Sequence, residues 1–549
     1  MAFRQEEFGL DALATAAAVP PTAGGVSLRS WVGFIAMGFG MVLAILDVQI
    51  VASSLPDLQV GLRLQLDQLS WIQTAYLIAE VVAIPLTGWL TRVLSTRGAF
   101  VFGITGFTLA SIGCAMATDF ATMVPARIVQ GFCGGLLIPL VFSAVFLMFP
   151  PHLRTRATVI CGLMAMMAPT LGPAVGGFIT DRYSWHWLFL INVAPGIAVA
   201  ALVAWTVRID RADWSCFGSV DLAAFPLLAG FLGGLQVVLK EAPHRGWSDR
   251  WMLLLMAFCA ACGVGLVWRC LRHPRPLIDL RVFRHRNFTL GCWFSFVLGV
   301  ALYGVTYLLP VFLGLIRDRE AFDIGLIMMV TGGTQLLIAP VAALLEQRYD
   351  ARLLMTIGFV LFALGLFGNG FMTYETDFWG LFWQQIVRGA AMMLCLLPMT
   401  ALALNGFAPA DVPNASGLFN LMRNLGGAIG LALIDTVLER RAPLHIDWLV
   451  ERLQAGDASA ALFVGLPTER FTGVPITDID QATRDFVAPL VKRAGLVWAF
   501  NDAWIFVGAL VAVSLLLVPL LRRAPPLRPP APHPVPDGSG ERASRVRLD

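Results

Sequence analysis

Five charged residues stand inside runs of mostly apolar sequence: Asp47, Glu80, Arg127, Arg388 and Arg423. In a water-poor setting each is costly unless it is paired or faces water. A carboxylate beside a guanidinium can work as a switch, because the cation favours the ionised form and its withdrawal favours the proton. Asp47 and Arg127 suit that chemistry. Glu80 has no cation near it in the chain, which makes it a candidate proton carrier or a partner for a cationic substrate. Arg388 and Arg423 would suit an anionic one. Asn420, Arg423, Asn424 and Gly427 share a helical face that is expected to look inward. Gln73 and Asp502 complete the candidates for substrate binding or gating. Two plainer readings stand beside these: a buried pair can be purely structural, and a wet cavity tolerates charges that have no task.

The elements that must hold these residues are set by composition. The chain has 549 residues, 57% hydrophobic and 14% charged, with a mean hydropathy of +0.74. A soluble domain carries about a quarter charged residues, so a polytopic membrane protein is the class that fits. The net charge is +3, and its basic residues fall between apolar segments, so no nucleic-acid partner is indicated. The cysteines are scattered singly in apolar runs; Cys259 and Cys262 form a CxxC with no second pair, read as small apolar filler rather than a metal or redox site. No cleavable signal is expected, and no cofactor or metal.

A helix crossing a core of about 30 Å needs about 20 apolar residues. The pattern predicts fourteen spans, over 31–51, 71–90, 98–118, 121–148, 158–180, 187–207, 218–239, 251–271, 288–315, 322–345, 352–372, 378–404, 412–438 and 496–521. Short loops on the side of the N-terminus hold fourteen Lys or Arg against seven opposite, which predicts both termini in the cytoplasm. At about 1.5 Å per residue, Asp47 on the first span and Arg127 on the fourth fall at similar depth.

Self-comparison reveals a repeat. Asp119, Phe120, Ile128, Val129 and Gly131 recur as Asp377, Phe378, Ile386, Val387 and Gly389, all 258 residues on. Leu55-Pro56 recurs as Leu309-Pro310 at 254, and Pro85 and Arg97 recur as Pro340 and Arg352 at 255. The displacement is eight spans, whereas parallel six-helix repeats give six. Spans seven and eight are therefore an insertion, and the architecture reads as six plus two plus six. The expected divisions are a cytoplasmic tail (1–29), a first bundle (30–207), an inserted hairpin (218–271), a second bundle (286–522) interrupted by an extracytoplasmic loop (439–494), and a disordered cytoplasmic tail (523–549). Between such bundles, near the midplane, a transported substrate normally sits.

The fifth span carries Pro169, Gly172, Pro173, Gly176 and Gly177. Ala168, Gly172 and Gly176 form a small-residue stripe that admits a close neighbour, and the prolines bend the helix. Such a helix suits a moving gate, and ordinary packing explains it equally.

Together these residues resemble the fourteen-span drug:proton antiporter family of the major facilitator superfamily, the EmrB/QacA type. The resemblance rests on Leu46–Val51 with Leu55-Pro56, on Trp71–Leu90, on Arg127-Ile128-Val129-Gln130-Gly131, on Pro169–Gly177, on Trp187–Val193, on Asn420–Gly427 and on Asn501-Asp502. It departs after the second span, where Gly88–Arg97 lacks the usual acidic residue and glycine. The resemblance implies an all-α fold of pseudo-twofold-related bundles in the plasma or inner membrane. It implies export of small hydrophobic or amphiphilic compounds by alternating access, with proton coupling at Arg127; the buried carboxyls Asp47 and Glu80 are expected to carry the proton beside it. It also implies, for Gram-negative members, a periplasmic adaptor protein and an outer-membrane channel as partners. A transporter of one metabolite, such as a siderophore or fatty acid, is the alternative. A membrane enzyme is disfavoured, since no nucleophile–base set, metal cluster or phosphate loop is found.

Overall fold

The computed structural model describes residues 27–522, apart from 65, 211, 213, 215–220, 222, 274, 275, 277, 405, 406, 408–411 and 467–480. Both expected tails thus fall largely or wholly outside the described residues. The first half holds α1 (Leu28–Ser53), α2 (Leu55–Gly61), α3 (Leu66–Ala83), α4 (Thr87–Ala115), α5 (Phe120–Met148), α6 (Pro151–Arg182), α7 (Trp187–Leu190) and α8 (Val193–Thr206). A hairpin follows, α9 (Ala224–Arg245) and α10 (Arg250–Arg272). The second half holds α11 (Arg286–Arg317), α12 (Ala321–Arg348), α13 (Ala351–Asn369), α14 (Phe378–Leu404), α15 (Val412–Gln454), α16 (Ala458–Val464) and α17 (Gln481–Ser514).

Thirteen helices among the described residues are long and apolar enough to cross a membrane. At 32 residues α6 is the fourteenth, packed along α1 and α12. Their outward faces carry large apolar side chains such as Leu109, Val264, Leu364 and Trp383. In water that exposure would be a liability; against lipid it is the expected solvent contact.

Local sequence explains how the helices start and bend. Ser27 caps α1, and Asp119 caps α5 by accepting from the Thr122 backbone N–H at 2.9 Å. Several charge-assisted hydrogen bonds hold the Asp119 carboxyl below the usual carboxylate range. Pro85 cannot donate to the helix ladder, and the chain passes from α3 to α4 through a 3-10 turn, Ile84–Leu86. Inside α4 the helix breaks at Ser95, whose φ of 69° lies in the left-handed region. The second and third spans meet at that break.

The repeat is visible in the packing. In the first bundle α1 packs on α5, α6 and α8, α3 on α5, and α4 on α5 and α8. In the second, α11 packs on α14, α15 and α17, α12 on α14, and α13 on α14 and α17. Each contact of the first set has its counterpart in the second. The seam between the bundles is not symmetric. On one side α6 and α12 run together, with the carbonyl oxygen of Pro173 2.5 Å from where a Cβ on Gly325 would stand, so only glycine fits. On the other side α9 lies against both α3 and α15, and Trp71 Nε1 of α3 donates to Glu241 of α9 at 2.8 Å.

The described part of the stretch expected as a polar loop over 439–494 is largely helical. α15 continues to Gln454, 43 residues in all, or about 65 Å at the helical rise. Its end, α16 and the start of α17 enclose a small core of their own, with Leu449, Leu453, Ala461 and Val491 buried. The Ser459 hydroxyl and N–H donate to Asp457 at 2.7 and 2.8 Å, and Arg452 Nε donates at 2.6 Å, together pulling its carboxyl down to about 2.

Candidate functional site

Asp47 is sealed inside the first bundle, with no exposed surface. Arg127 Nη1 donates to its Oδ2 at 2.5 Å. Gln130 Nε2 and Asn192 Nδ2 donate to its Oδ1 at 2.8 and 2.9 Å. Arg127 Nε also donates to the Ile72 carbonyl at 3.0 Å, and its guanidinium lies 4.5 Å from the centre of the Tyr76 ring. Gln130 reaches on to Ser111 at 2.9 Å. One carboxylate thereby links α1, α5 and the α7–α8 turn, with α3 and α4 tied in through Arg127 and Gln130. The helices come this close because Gly131 lies against the Tyr76 backbone and Gly135 against that of Glu80, where no side chain would fit. The pairing expected from depth alone is thus present. In the sequence Gln130 and Asn192 stand out only as parts of motifs; the i, i+3 spacing of Arg127 and Gln130 on one helix is the signal that links the first of them to the pair.

A separate cavity of about 270 Å³ lies between the bundles. Glu80 faces it from α3, Gln73 a little further along the same helix, and Asn420, Arg423 and Asn424 face it from α15. Tyr303 Oη, also on its wall, donates to Asn424 Oδ1 at 3.1 Å. Arg423 is within coulombic reach of Glu80, but its guanidinium donates to Asn420 Oδ1 instead. Among the described residues the Glu80 carboxyl accepts no hydrogen bond and forms no ion pair. The rest of the wall is mostly apolar, including Met41, Ile45, Phe142 and Met392. An unpaired carboxyl in such a wall can hold either a proton or a cationic group.

Other candidates lie elsewhere. Arg388 is buried in the second bundle and reaches a side pocket of about 50 Å³, which shares Gln49, Thr306 and Gln335 with the central cavity. Asp502 is away from the cavity: Arg441 Nε and His445 Nε2 meet its Oδ2 at 2.6 and 2.7 Å, joining α15 to α17. Gly172 abuts Gln49 of α1, Pro173 abuts Gly325, and Gly176 and Gly177 are buried. The side chain of Pro169 lies outside the described residues.

The missing residues of the Gly88–Arg97 segment find substitutes. Ser95 adopts the left-handed conformation suited to the absent glycine. Asp210, beyond α8, supplies a carboxylate: it accepts from the Thr96 N–H and hydroxyl, each at 2.9 Å.

Comparison with known proteins gives a consistent picture. The family model described as Major Facilitator Superfamily matches residues 37–431. A colistin resistance protein, EmrB, of Acinetobacter baumannii is 40% identical over 76% of this chain and 82% of its own. The multidrug export protein EmrB of Escherichia coli K12 is 28% identical over 88% and 94%. In three dimensions the fold resembles that of an inward-facing bacterial homolog of the human lysosomal transporter Spinster. The TM-score there is 0.57 at 15% identity, covering 91% of this chain and 98% of that one.

Proposed function

Since the chain belongs to the Major Facilitator Superfamily, and within it to the EmrB-type drug:proton antiporters, we propose that it exports small hydrophobic or amphiphilic compounds in exchange for protons through the cavity between its bundles. The single observation that carries the site assignment is the unpaired Glu80 on an otherwise largely apolar wall, opposite Arg423. In the cycle we infer, Glu80 is protonated while the cavity opens outward and loses that proton inward, so that ionised Glu80 and a bound cationic or amphiphilic substrate go together. Gln73, Asn420 and Asn424 supply hydrogen bonds that orient the substrate among apolar neighbours.

Asp47 plays a different part. It has no path to the cavity in this conformation, and its oxygens are occupied by Arg127, Gln130 and Asn192. It takes a proton only if Arg127 withdraws, which requires α1 and α5 to shift. The pair is thus read as the element whose two arrangements report which side is open. The contact of Pro173 with Gly325 supports α6 and α12 as a gate at the end of the cavity farther from the chain's N-terminus.

With both termini in the cytoplasm, as the loop charges favour, that gate closes the outer side. The cluster beyond α15 then projects outward, where a periplasmic adaptor and an outer-membrane channel would be met. The division into bundles 30–207 and 286–522 with the hairpin 218–271 is part of the same proposal. The test is transport itself: in everted vesicles an imposed pH gradient, acid inside, should drive uptake of ethidium, and a protonophore should abolish it. Uptake indifferent to the gradient would overturn the exporter reading.

A further inference from the structure

The two bundles share one packing plan but differ in the charges it encloses. The repeat aligns Ile72 with Ile327, Tyr76 with Thr331, Arg127 with Gln385 and Gln130 with Arg388. The structure keeps these relationships. Arg127 Nε donates to the Ile72 carbonyl, and Gln385 Nε2 donates to the Ile327 carbonyl at 2.9 Å. Gly131 abuts the Tyr76 backbone, and a Cβ on Gly389 would stand 2.5 Å from the Thr331 carbonyl. Gly172 meets Gln49, and its mate Gly427 meets Tyr303, which fixes the register of α1 on α11 at 254 residues. At that register Asp47 corresponds to Ala301, which is fully buried.

The second bundle therefore keeps the guanidinium and lacks the carboxylate. Arg388 is 1% exposed. One of its nitrogens donates to Gln385 Oε1, and the guanidinium lies 5.1 Å from the Trp504 ring. Nε and Nη1 have no hydrogen-bond partner, and among the described residues no carboxylate pairs with it. A guanidinium stays charged under all ordinary conditions, and a buried charge without a counter-ion is strongly unfavourable. Arg388 lines the side pocket that joins the central cavity. The pocket's 50 Å³ suits a carboxylate or a halide, and the central cavity beside it suits an apolar tail.

We propose that the side pocket at Arg388 binds a monovalent anion of carboxylate size, and that it is the head-group subsite for anionic amphiphiles carried by this transporter. Its use in transport rests on the exporter reading; the binding does not. The charge can arrive as the head of an amphiphile or as free halide, and competition separates the two.

The experiment is isothermal calorimetry on the detergent-purified full chain, without any gradient. Decanoate should bind about tenfold or more tightly than 1-decanol, the return of charge-assisted hydrogen bonds over neutral ones. Arg388→Gln should erase that preference, and Arg388→Lys should keep part of it. Ala301→Asp, which restores the missing carboxylate, should also erase it while raising the melting temperature. Chloride that competes with decanoate identifies a site open to free halide; chloride that does not identifies one that needs the tail. The proposal is overturned if decanoate and decanol bind alike in the unmodified protein, or if Arg388→Gln and Ala301→Asp both keep the preference for decanoate. Either result leaves gradient-driven dye uptake untouched as a separate question.

Discussion

Glu80 and Arg423 face one another across the cavity from opposite bundles without forming an ion pair, and Arg423 turns to Asn420 instead. The carboxyl is left available, and the cation stands near enough to bias it. That arrangement differs from Asp47 and Arg127, which lie in direct contact with every remaining oxygen site filled from the same bundle. In the proposed cycle the two carboxyls divide the work: one meets solute, the other senses the packing of α1 on α5.

The Asp47–Arg127 pair makes a stability prediction. Removing one member leaves the other charged and unpaired in a dry interior, at a cost of about 3–5 kcal/mol. Arg127→Ala should lower the melting temperature of the purified protein sharply, whereas Asp47→Ala with Arg127→Met should recover most of the loss. Equal melting of the single and double variants would show that the pair is not energetically linked.

Ser95 gives a prediction of opposite sign. Its φ of 69° is strained for any residue with a side chain, at about 1 kcal/mol or more. Ser95→Gly should stabilise the protein by up to about 1 kcal/mol, and Ser95→Val should destabilise it. The comparison is read from thermal unfolding of the two variants; a Ser95→Gly protein that melts lower would mean the hydroxyl contact to the Gly98 N–H, at 3.2 Å, matters more than the backbone.

The proposed gate can be locked. Phe178 of α6 and Phe322 of α12 lie with ring centres 6.4 Å apart, near the Pro173–Gly325 crossing. Cysteines at both positions should cross-link under mild oxidation and stop transport until reduced. Gly325→Leu should have the reverse structural effect, holding α6 and α12 apart at that end. Free transport with the cross-link in place would remove this crossing from the cycle.

Much of this architecture was legible in the chain. Apolar runs marked the spans, and the offsets near 255 residues revealed the duplicated bundle, because matched prolines and glycines mark matched bends and close approaches. Depth alone brought Asp47 and Arg127 together. The remainder depends on contacts between distant segments. Gln130 and Asn192 became ligands of Asp47 through packing that periodicity does not encode. Asp502 stands among the candidates for substrate binding or gating from its place at the start of the last span; in the structure α15 continues to Gln454, well past its expected end at 438, and brings Arg441 and His445 to it. The hairpin could be counted from sequence, but the place of α9 against both α3 and α15 could not, since its apolar face is compatible with lipid or protein.

The most direct test concerns Glu80. In proteoliposomes carrying Glu80→Gln, exchange of ethidium down its own gradient should persist, while accumulation driven by an imposed proton gradient should fall to the level of empty vesicles. A Glu80→Gln protein that still concentrates the dye as the unmodified one does would place the transported proton elsewhere.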